Sequence, residues 1–254
     1  MKGIPGIITE EGNYIENQVI PCYMTDSTTS LRPVSFMDIA QEMGFRAANV
    51  MHFGFDDLIK ENKAWVLSRL HFSFDRTPHW RDEVEVATWN RGQIGLFYVR
   101  DFTLKGENAL VRATSSWLVL DVQGRFACRH ADCLDDIPEK YRCDEAAMES
   151  LADKVRLPKD KEPVLAGTRT VGYADVDFLG HTNNARYMMW IEELVPFETS
   201  KTVRFKDLTI NFNHETKPGD MVEIYRIIDG DTLYVEGRVE GNVTFTVKLN
   251  YEKI

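Results

Sequence analysis

Two short stretches of this 254-residue chain gather side chains able to move protons. One runs Asp175-Val-Asp-Phe-Leu-Gly-His-Thr-Asn-Asn-Ala-Arg-Tyr187 and holds Asp177 and His181; the other, Asn213-His-Glu-Thr216, holds Glu215. Carboxylates and an imidazole are the groups that general acid–base chemistry uses near neutral pH. Each residue also has a plainer reading. A glutamate at a strand end is commonly a solvated charge, and a histidine beside a helix start can be a cap. Asn183 and Asn184 suit an N-cap, because the asparagine oxygen accepts a bond from an otherwise unpaired amide. A third gathering, Cys128, Cys133 and Cys143 with His130 between the first two, lacks the close C-x2-C knuckle of structural zinc sites. Free thiols in a reducing compartment are expected there, with no metal and no cofactor.

The elements that must position these residues repeat. Leu70–Val86 aligns without a gap on Leu208–Ile224 at an offset of 208 − 70 = 138, with Leu70/Leu208, Phe74/Phe212, Asp82/Asp220, Val84/Val222 and Glu85/Glu223 identical. A helix precedes each copy. In the first, Phe36, Ile39, Ala40, Met43, Ala47, Val50 and Met51 form one apolar stripe at helical spacing, opened by a capping box of Ser35 and Asp38. Tyr187, Met188, Ile191, Leu194 and Val195 repeat the rhythm after Asn183-Asn184. Period-two alternation at Leu70, Phe72 and Phe74, and at Leu208, Ile210 and Phe212, marks strands with one buried face. Further strands are expected over 83–90, 95–104 and 109–121, then 221–228, 232–239 and 243–252. Between the copies, 13 of the 25 residues from Pro138 to Glu162 are charged, which reads as a solvated linker with a short helix near 144–155. The expected organisation is a first unit over 1–137, a linker over 138–167 and a second unit over 168–254. Because one such unit alone leaves a sheet edge open, the two should pack side by side.

Bulk properties narrow the function. Hydrophobic residues make up 43% and charged residues 28%, as in an ordinary globular protein. The net charge of −10 disfavours nucleic acid as a partner. No apolar run is long enough for a membrane helix, and the N-terminal stretch has no apolar signal core, so a cytoplasmic location without membrane attachment is expected.

The strings themselves resemble one family. Asp175–Tyr187 is similar to the D-x-N-x-H-x-N-N-x-x-Y signature of acyl-acyl-carrier-protein thioesterases. Trp65–Arg69, Arg76–Trp80, Val84–Trp89 and Ala113–Trp117 resemble the N-terminal half of the same family, in the same order. The resemblance runs from about Gln18 to the C-terminus. It implies an α+β tandem (double) hotdog fold, each unit a long helix wrapped by a bent antiparallel sheet. It also implies hydrolysis of a fatty-acyl thioester borne by acyl carrier protein. Carried over residue by residue, it implies catalytic Asp177, His181 and Glu215, with Glu215 as base toward water or as nucleophile.

Two positions depart from the pattern: Leu179 stands where the signature has asparagine, and Thr216 where plant members have a cysteine. Thr77 stands where Glu215 does in the first copy, and Thr28–Pro33 there holds neither histidine nor carboxylate, so one site per chain is expected, in the second half. Asn183 and Asn184 would contact substrate, and their neighbouring amides would meet the oxyanion. Met43 and Phe45 are candidate linings for the acyl chain. The carrier protein is acidic, so docking would need a local basic patch drawn from Arg186, Lys201, Arg204 and Lys206. An acyl-CoA thioesterase and a non-hydrolytic acyl-binding protein are the competing readings, and a homodimer is left open.

Overall fold

A computed structural model describes residues 6–124, 126–128 and 138–253. The strands are β1 (Ile7–Ile8), β2 (Tyr14–Val19), β3 (Lys63–Arg76), β4 (Glu83–Ile94), β5 (Phe97–Gly106), β6 (Leu110–Asp121), β7 (Phe126–Ala127), β8 (Val164–Thr170), β9 (Val203–Phe212), β10 (Met221–Asp229), β11 (Thr232–Val239) and β12 (Asn242–Lys253). The helices are α1 (Pro33–Val50), α2 (Phe55–Leu58), α3 (Asn184–Glu193) and α4 (Phe197–Ser200).

All the strands join one antiparallel sheet in the order β1-β2-β4-β5-β6-β3-β9-β12-β11-β10-β8, with β7 beside β6. The order reads outward from the β3–β9 pair as a mirrored sequence, β3-β6-β5-β4-β2 on one side and β9-β12-β11-β10-β8 on the other. The expected side-by-side packing is therefore a continuous sheet. Register shifts interrupt β3, β4, β10, β11 and β12, and such bulges bend the strand that carries them.

The two principal helices pack on one face of this sheet through equivalent aromatics. Phe36 of α1 sits 5.1 Å from Phe72 and 6.1 Å from Phe74, ring centre to ring centre. Tyr187 of α3 sits 5.9 Å from Phe212 and 4.9 Å from Phe245. α1 begins at Pro33, whose missing N–H costs nothing at a first helical position, and the residue before it is Arg32 without a side-chain cap. The expected capping box is thus absent: Ser35 is buried, and Asp38 instead accepts two bonds from Arg186 Nη2 at 2.7 and 2.8 Å. A residue from the other half serves the α1 start, since Glu192 of α3 accepts the Val34 N–H at 2.8 Å. α3 is shorter, 10 residues against 18, because Pro196 follows close behind.

The charged stretch between the copies has one 3-10 turn, Glu139–Tyr141, no helix over the expected 144–155, and is not solvated throughout. It runs extended across the sheet face opposite the helices and buries Ala147, Met148, Ala152 and Val155. Side chains from both halves tie it down: Trp89 donates to Glu145 O (2.7 Å), Asp101 accepts from Ala147 N (2.8 Å), and Asn211 bonds both Asp153 O (2.9 Å) and Val155 N (2.6 Å). It is a strap, and its charged residues form the outer side. Residues 164–167 of the expected linker already belong to β8, an element that alternation did not reveal. Cys22, Cys128 and Cys143 are free thiols; Cys133 and His130 lie outside the described residues. No helix among the described residues is long and apolar enough to cross a membrane.

Candidate active site

The segment before α3 is held from below by Asp175. Its carboxylate accepts bonds from Gly172 N (2.8 Å), Trp190 Nε1 (2.9 Å) and Arg169 Nη2 (3.2 Å). Burial alone would raise its pKa, but these bonds and the Arg169 charge outweigh burial and hold it below the ordinary carboxylate range. The chain then turns tightly. Asp177 Oδ1 accepts the Leu179 N–H (2.9 Å), Gly180 N bonds Asp177 O (3.0 Å), and Asp177 N bonds His181 O (3.0 Å). Gly180 has φ +79°, a left-handed conformation that glycine adopts without strain.

This turn delivers His181 to Glu215, with Nε2 and Oε2 3.4 Å apart. Both side chains are partly exposed. The segments carrying them are fastened by hydroxyls that sequence reasoning passed over. Thr182 N bonds Thr216 O (3.0 Å), the Thr182 and Thr216 hydroxyls meet at 2.6 Å, and Tyr187 Oη lies 3.0 Å from Thr216 Oγ1. Thr182 and Thr216 are buried, as is Tyr187, whose burial raises its pKa and keeps it a neutral hydroxyl. Their adjacency to His181 and Glu215 was the available signal.

Asp177 is brought into the same turn, but its carboxylate serves the backbone. The first half shows why this matters. At an offset of 177 − 26 = 151, Asp26 repeats the turn: Thr28 N bonds Asp26 Oδ1 (2.8 Å), Asp26 N bonds Ser30 O (2.9 Å), and Thr29 N bonds Asp26 O (3.0 Å). Ser30 occupies the place of His181, and Thr77 that of Glu215. The first half therefore lacks two of the three residues and keeps the aspartate, contrary to the expectation that it lacks all three. In both halves this carboxylate accepts a backbone N–H of the turn.

The expected substrate contacts separate. Asn183 is the N-cap of α3, its side chain accepting from Ala185 N at 2.9 Å. Asn184 and Ala185, at the helix start, line a small apolar cavity of about 20 Å³ with Met37, Ala40, Gln41, Leu67, Leu70, Phe102, Ser115 and Trp117. Met43 and Phe45 are not among its walls. Met43 is core, and Phe45 lies on the outer side of α1, 42% exposed, because its position falls off the buried stripe. Leu179, in place of the signature asparagine, contributes its backbone N–H to the turn while its side chain is 48% exposed. Of the expected basic patch, Arg186 is committed to Asp38; Lys201 pairs with Glu198, and Arg204 and Lys206 approach Glu252 at 3.8 and 3.6 Å. Among the described residues no cluster could hold a metal ion.

Residues 11–141 match the family model of the acyl-ACP thioesterase N-terminal domain, and residues 159–252 that of the acyl-ACP thioesterase C-terminal domain. The chain is 26% identical over 239 residues to the chloroplastic oleoyl-acyl carrier protein thioesterase of Coriandrum sativum, covering 86% of this chain and 63% of that protein. It is 27% identical over 241 residues to oleoyl-acyl carrier protein thioesterase 1 of Arabidopsis thaliana, covering 86% of this chain and 65% of that protein. The chain thus spans a little under two thirds of these relatives. Among solved structures, an acyl-ACP thioesterase from Bacteroides thetaiotaomicron superposes with a TM-score of 0.85 at 24% identity, covering 96% of this chain and 100% of that one. The 12:0-ACP thioesterase of Umbellularia californica gives 0.85 at 20% identity, covering 95% and 98%. At these identities the superpositions bear on the fold.

Proposed function

The chain belongs to the acyl-ACP thioesterase family, and from that premise we propose that it hydrolyses fatty-acyl thioesters of acyl carrier protein, releasing a free fatty acid and the carrier thiol. We read the architecture as a tandem hotdog with a first unit over 1–137, the strap region over 138–167 and a second unit over 168–254 that carries the catalytic groups. The observation that carries the reading is the His181–Glu215 contact, 3.4 Å, next to the α3 start where Asn184 opens onto an apolar cavity.

In this reading Glu215 takes a proton from water, and the water oxygen attacks the thioester carbonyl carbon. The carbonyl oxygen becomes an oxyanion, which amides at the α3 start stabilise, helped by the helix dipole. His181 orients Glu215 and the water. When the tetrahedral species collapses, the C–S bond breaks and the proton held at the Glu215–His181 pair goes to the departing thiolate. Asp177 holds the turn that places His181. An acyl chain would have to widen the cavity between α1, the α3 start and the sheet, which holds about 20 Å³ as it stands.

The test is thiol release from a panel of acyl-carrier-proteins by wild type and Glu215→Ala, alongside acyl-CoA of matched chain length. The reading requires release by wild type, loss in the variant and preference for the carrier protein. No release from any acyl-carrier-protein overturns the hydrolase reading, and full activity of Glu215→Ala overturns the site. Faster turnover of acyl-CoA moves the substrate from one carrier to the other.

A further inference from the structure

The two helix starts are related by the same offset as the turns before them. Phe36 corresponds to Tyr187 (187 − 36 = 151), Pro33 to Asn184 and Val34 to Ala185. The contact between the helices is reciprocal too. Glu192 of α3 accepts the Val34 N–H at 2.8 Å. Its counterpart on α1 is Gln41 (192 − 151 = 41), and Gln41 shares a cavity wall with Ala185, the counterpart of Val34.

In chemistry the two places are opposites. At the α1 start Arg32 gives no side-chain cap, so the Glu192 carboxylate supplies the acceptor, and Pro33 has no N–H. A carboxylate and a missing amide make that start unfit for a negative oxygen. At the α3 start Asn183 already caps Ala185 N at 2.9 Å, which frees Gln41 from that duty. Asn184, where the other half has Pro33, brings an N–H that has no intrahelical acceptor because it is the first of the helix.

The Gln41 amide makes no hydrogen bond among the described residues, and the residue is exposed, so a substrate can reach it. Ser115 of the same wall is spent: its hydroxyl accepts from Trp117 Nε1 at 2.7 Å and donates to Arg100 O at 2.8 Å. The cavity measures about 20 Å³, room for one water-sized group. That is the size of a carbonyl oxygen.

We propose that Gln41 is a catalytic residue: its Nε2–H donates to the thioester carbonyl oxygen beside the Asn184 N–H, so that the first half completes the site of the second. The proposal rests on the thioesterase reading above and adds a donor to it. As the water oxygen bonds to the carbonyl carbon, the C=O π pair moves onto oxygen, and the two N–H groups hold that charge while keeping their protons. On collapse the pair returns and the C–S bond breaks. Glutamine suits the place because its amide is neutral and always has N–H to offer, whereas an ionised glutamate only accepts.

The test measures thiol release from the acyl-carrier-protein panel by wild type, Gln41→Leu and Gln41→Glu, with thermal melts of each. Gln41→Leu should lower kcat by about 10²-fold with KM little changed, the usual worth of one oxyanion donor. Gln41→Glu, nearly the same in shape, should lose at least as much at about pH 8, because an ionised acceptor then faces the oxyanion. Neither variant should melt below wild type, since the amide has no protein partner to lose. Wild-type kcat in either variant, or a loss that lies wholly in KM, overturns the proposal, as does a loss that comes with a lower melting temperature.

A second measurement needs no hydrolysis. It follows the carbon-13 resonance of a carbonyl-labelled ketone analogue of acyl-carrier-protein, with CH2 in place of the thioester sulfur. On binding wild type the resonance should move downfield, as hydrogen bonding to a carbonyl makes it do, and it should move back in Gln41→Leu. That result supports the proposal even if no thioester is cleaved, an outcome that would sink the hydrolase reading alone. The same resonance in wild type and Gln41→Leu, or no binding, overturns the proposal.

Discussion

His181 Nε2 stands 3.4 Å from Glu215 Oε2, and the residues directly after them, Thr182 and Thr216, join by a backbone bond of 3.0 Å and a hydroxyl contact of 2.6 Å. The His181–Glu215 contact therefore sits at a seam between two segments, with buried hydroxyls directly behind it.

Glu215→Gln keeps the shape of the side chain and removes the base. Its kcat should fall by about 10²–10⁴, the usual worth of a positioned general base, with KM little changed. Steady-state thiol release measures both constants. A fall in kcat/KM that comes wholly from KM would assign Glu215 to binding instead.

Thr216→Val removes a hydroxyl that meets both Thr182 and Tyr187. Leaving those buried groups short of a partner should cost about 1–3 kcal/mol in denaturant unfolding. Activity should fall as well, because the seam joins the segments that carry His181 and Glu215. Wild-type kcat in a destabilised Thr216→Val protein would separate the seam from catalysis.

Asp177 and its first-half twin Asp26 provide a paired comparison. Both accept the backbone N–H two residues on, at 2.9 and 2.8 Å. Asp177→Asn retains an acceptor oxygen and should keep most of the activity, whereas Asp177→Ala should lose it with the turn. Asp26→Ala should lower thermal stability and leave kcat alone. If Asp177→Asn is as inactive as Glu215→Gln, the charge of Asp177 takes part in the chemistry.

Glu192 links stability to pH. Burial raises its pKa from the ordinary 4.5 to about 7, against the opposing bond from Val34 N–H and the charge of Arg32. The folded chain thus keeps a proton that the unfolded chain has released. The associated stability is complete below pH 4.5 and is lost as pH rises through 7. The loss should amount to at most about 3 kcal/mol. Thermal melts from pH 5 to 8 should show it, and Glu192→Gln, which can still accept from Val34, should flatten the profile and melt higher at pH 8. A wild-type profile that rises across this range would contradict the assignment.

For carrier docking, Arg204→Glu with Lys206→Glu should raise KM for acyl-carrier-protein most strongly at low salt, with kcat unchanged. Arg186→Met should leave KM alone and reduce stability, because Arg186 is spent on Asp38, with bonds of 2.7 and 2.8 Å. Equal effects on KM from all of these changes would place Arg186 in the docking surface after all.

Much of the framework was legible because it is periodic. Strands expected over 83–90, 109–121 and 232–239 correspond to Glu83–Ile94, Leu110–Asp121 and Thr232–Val239. The strap was misread because charge dominates its composition, while only Ala147, Met148, Ala152 and Val155 turn inward. Asp26 went unnoticed because the repeat offset changes from 138 in the strands to 151 in the turns, so an alignment fixed on the strands misses it. His181 and Glu215 were marked by a family resemblance; what joins them, a hydroxyl cluster spanning 216 − 182 = 34 residues, has no local signature.

The pairing of β3 with β9 also bears on how the chain reaches this state. It joins residues such as Leu70 and Ile210 that lie 210 − 70 = 140 positions apart. While the nascent first half stands alone, the 14-residue β3 is an edge strand with unmet backbone groups, the kind of template on which chains aggregate. Closing so distant a contact is slow. The first half must therefore wait, sticky at one edge, until synthesis has passed Phe212, and the duplicated halves complete their folding together.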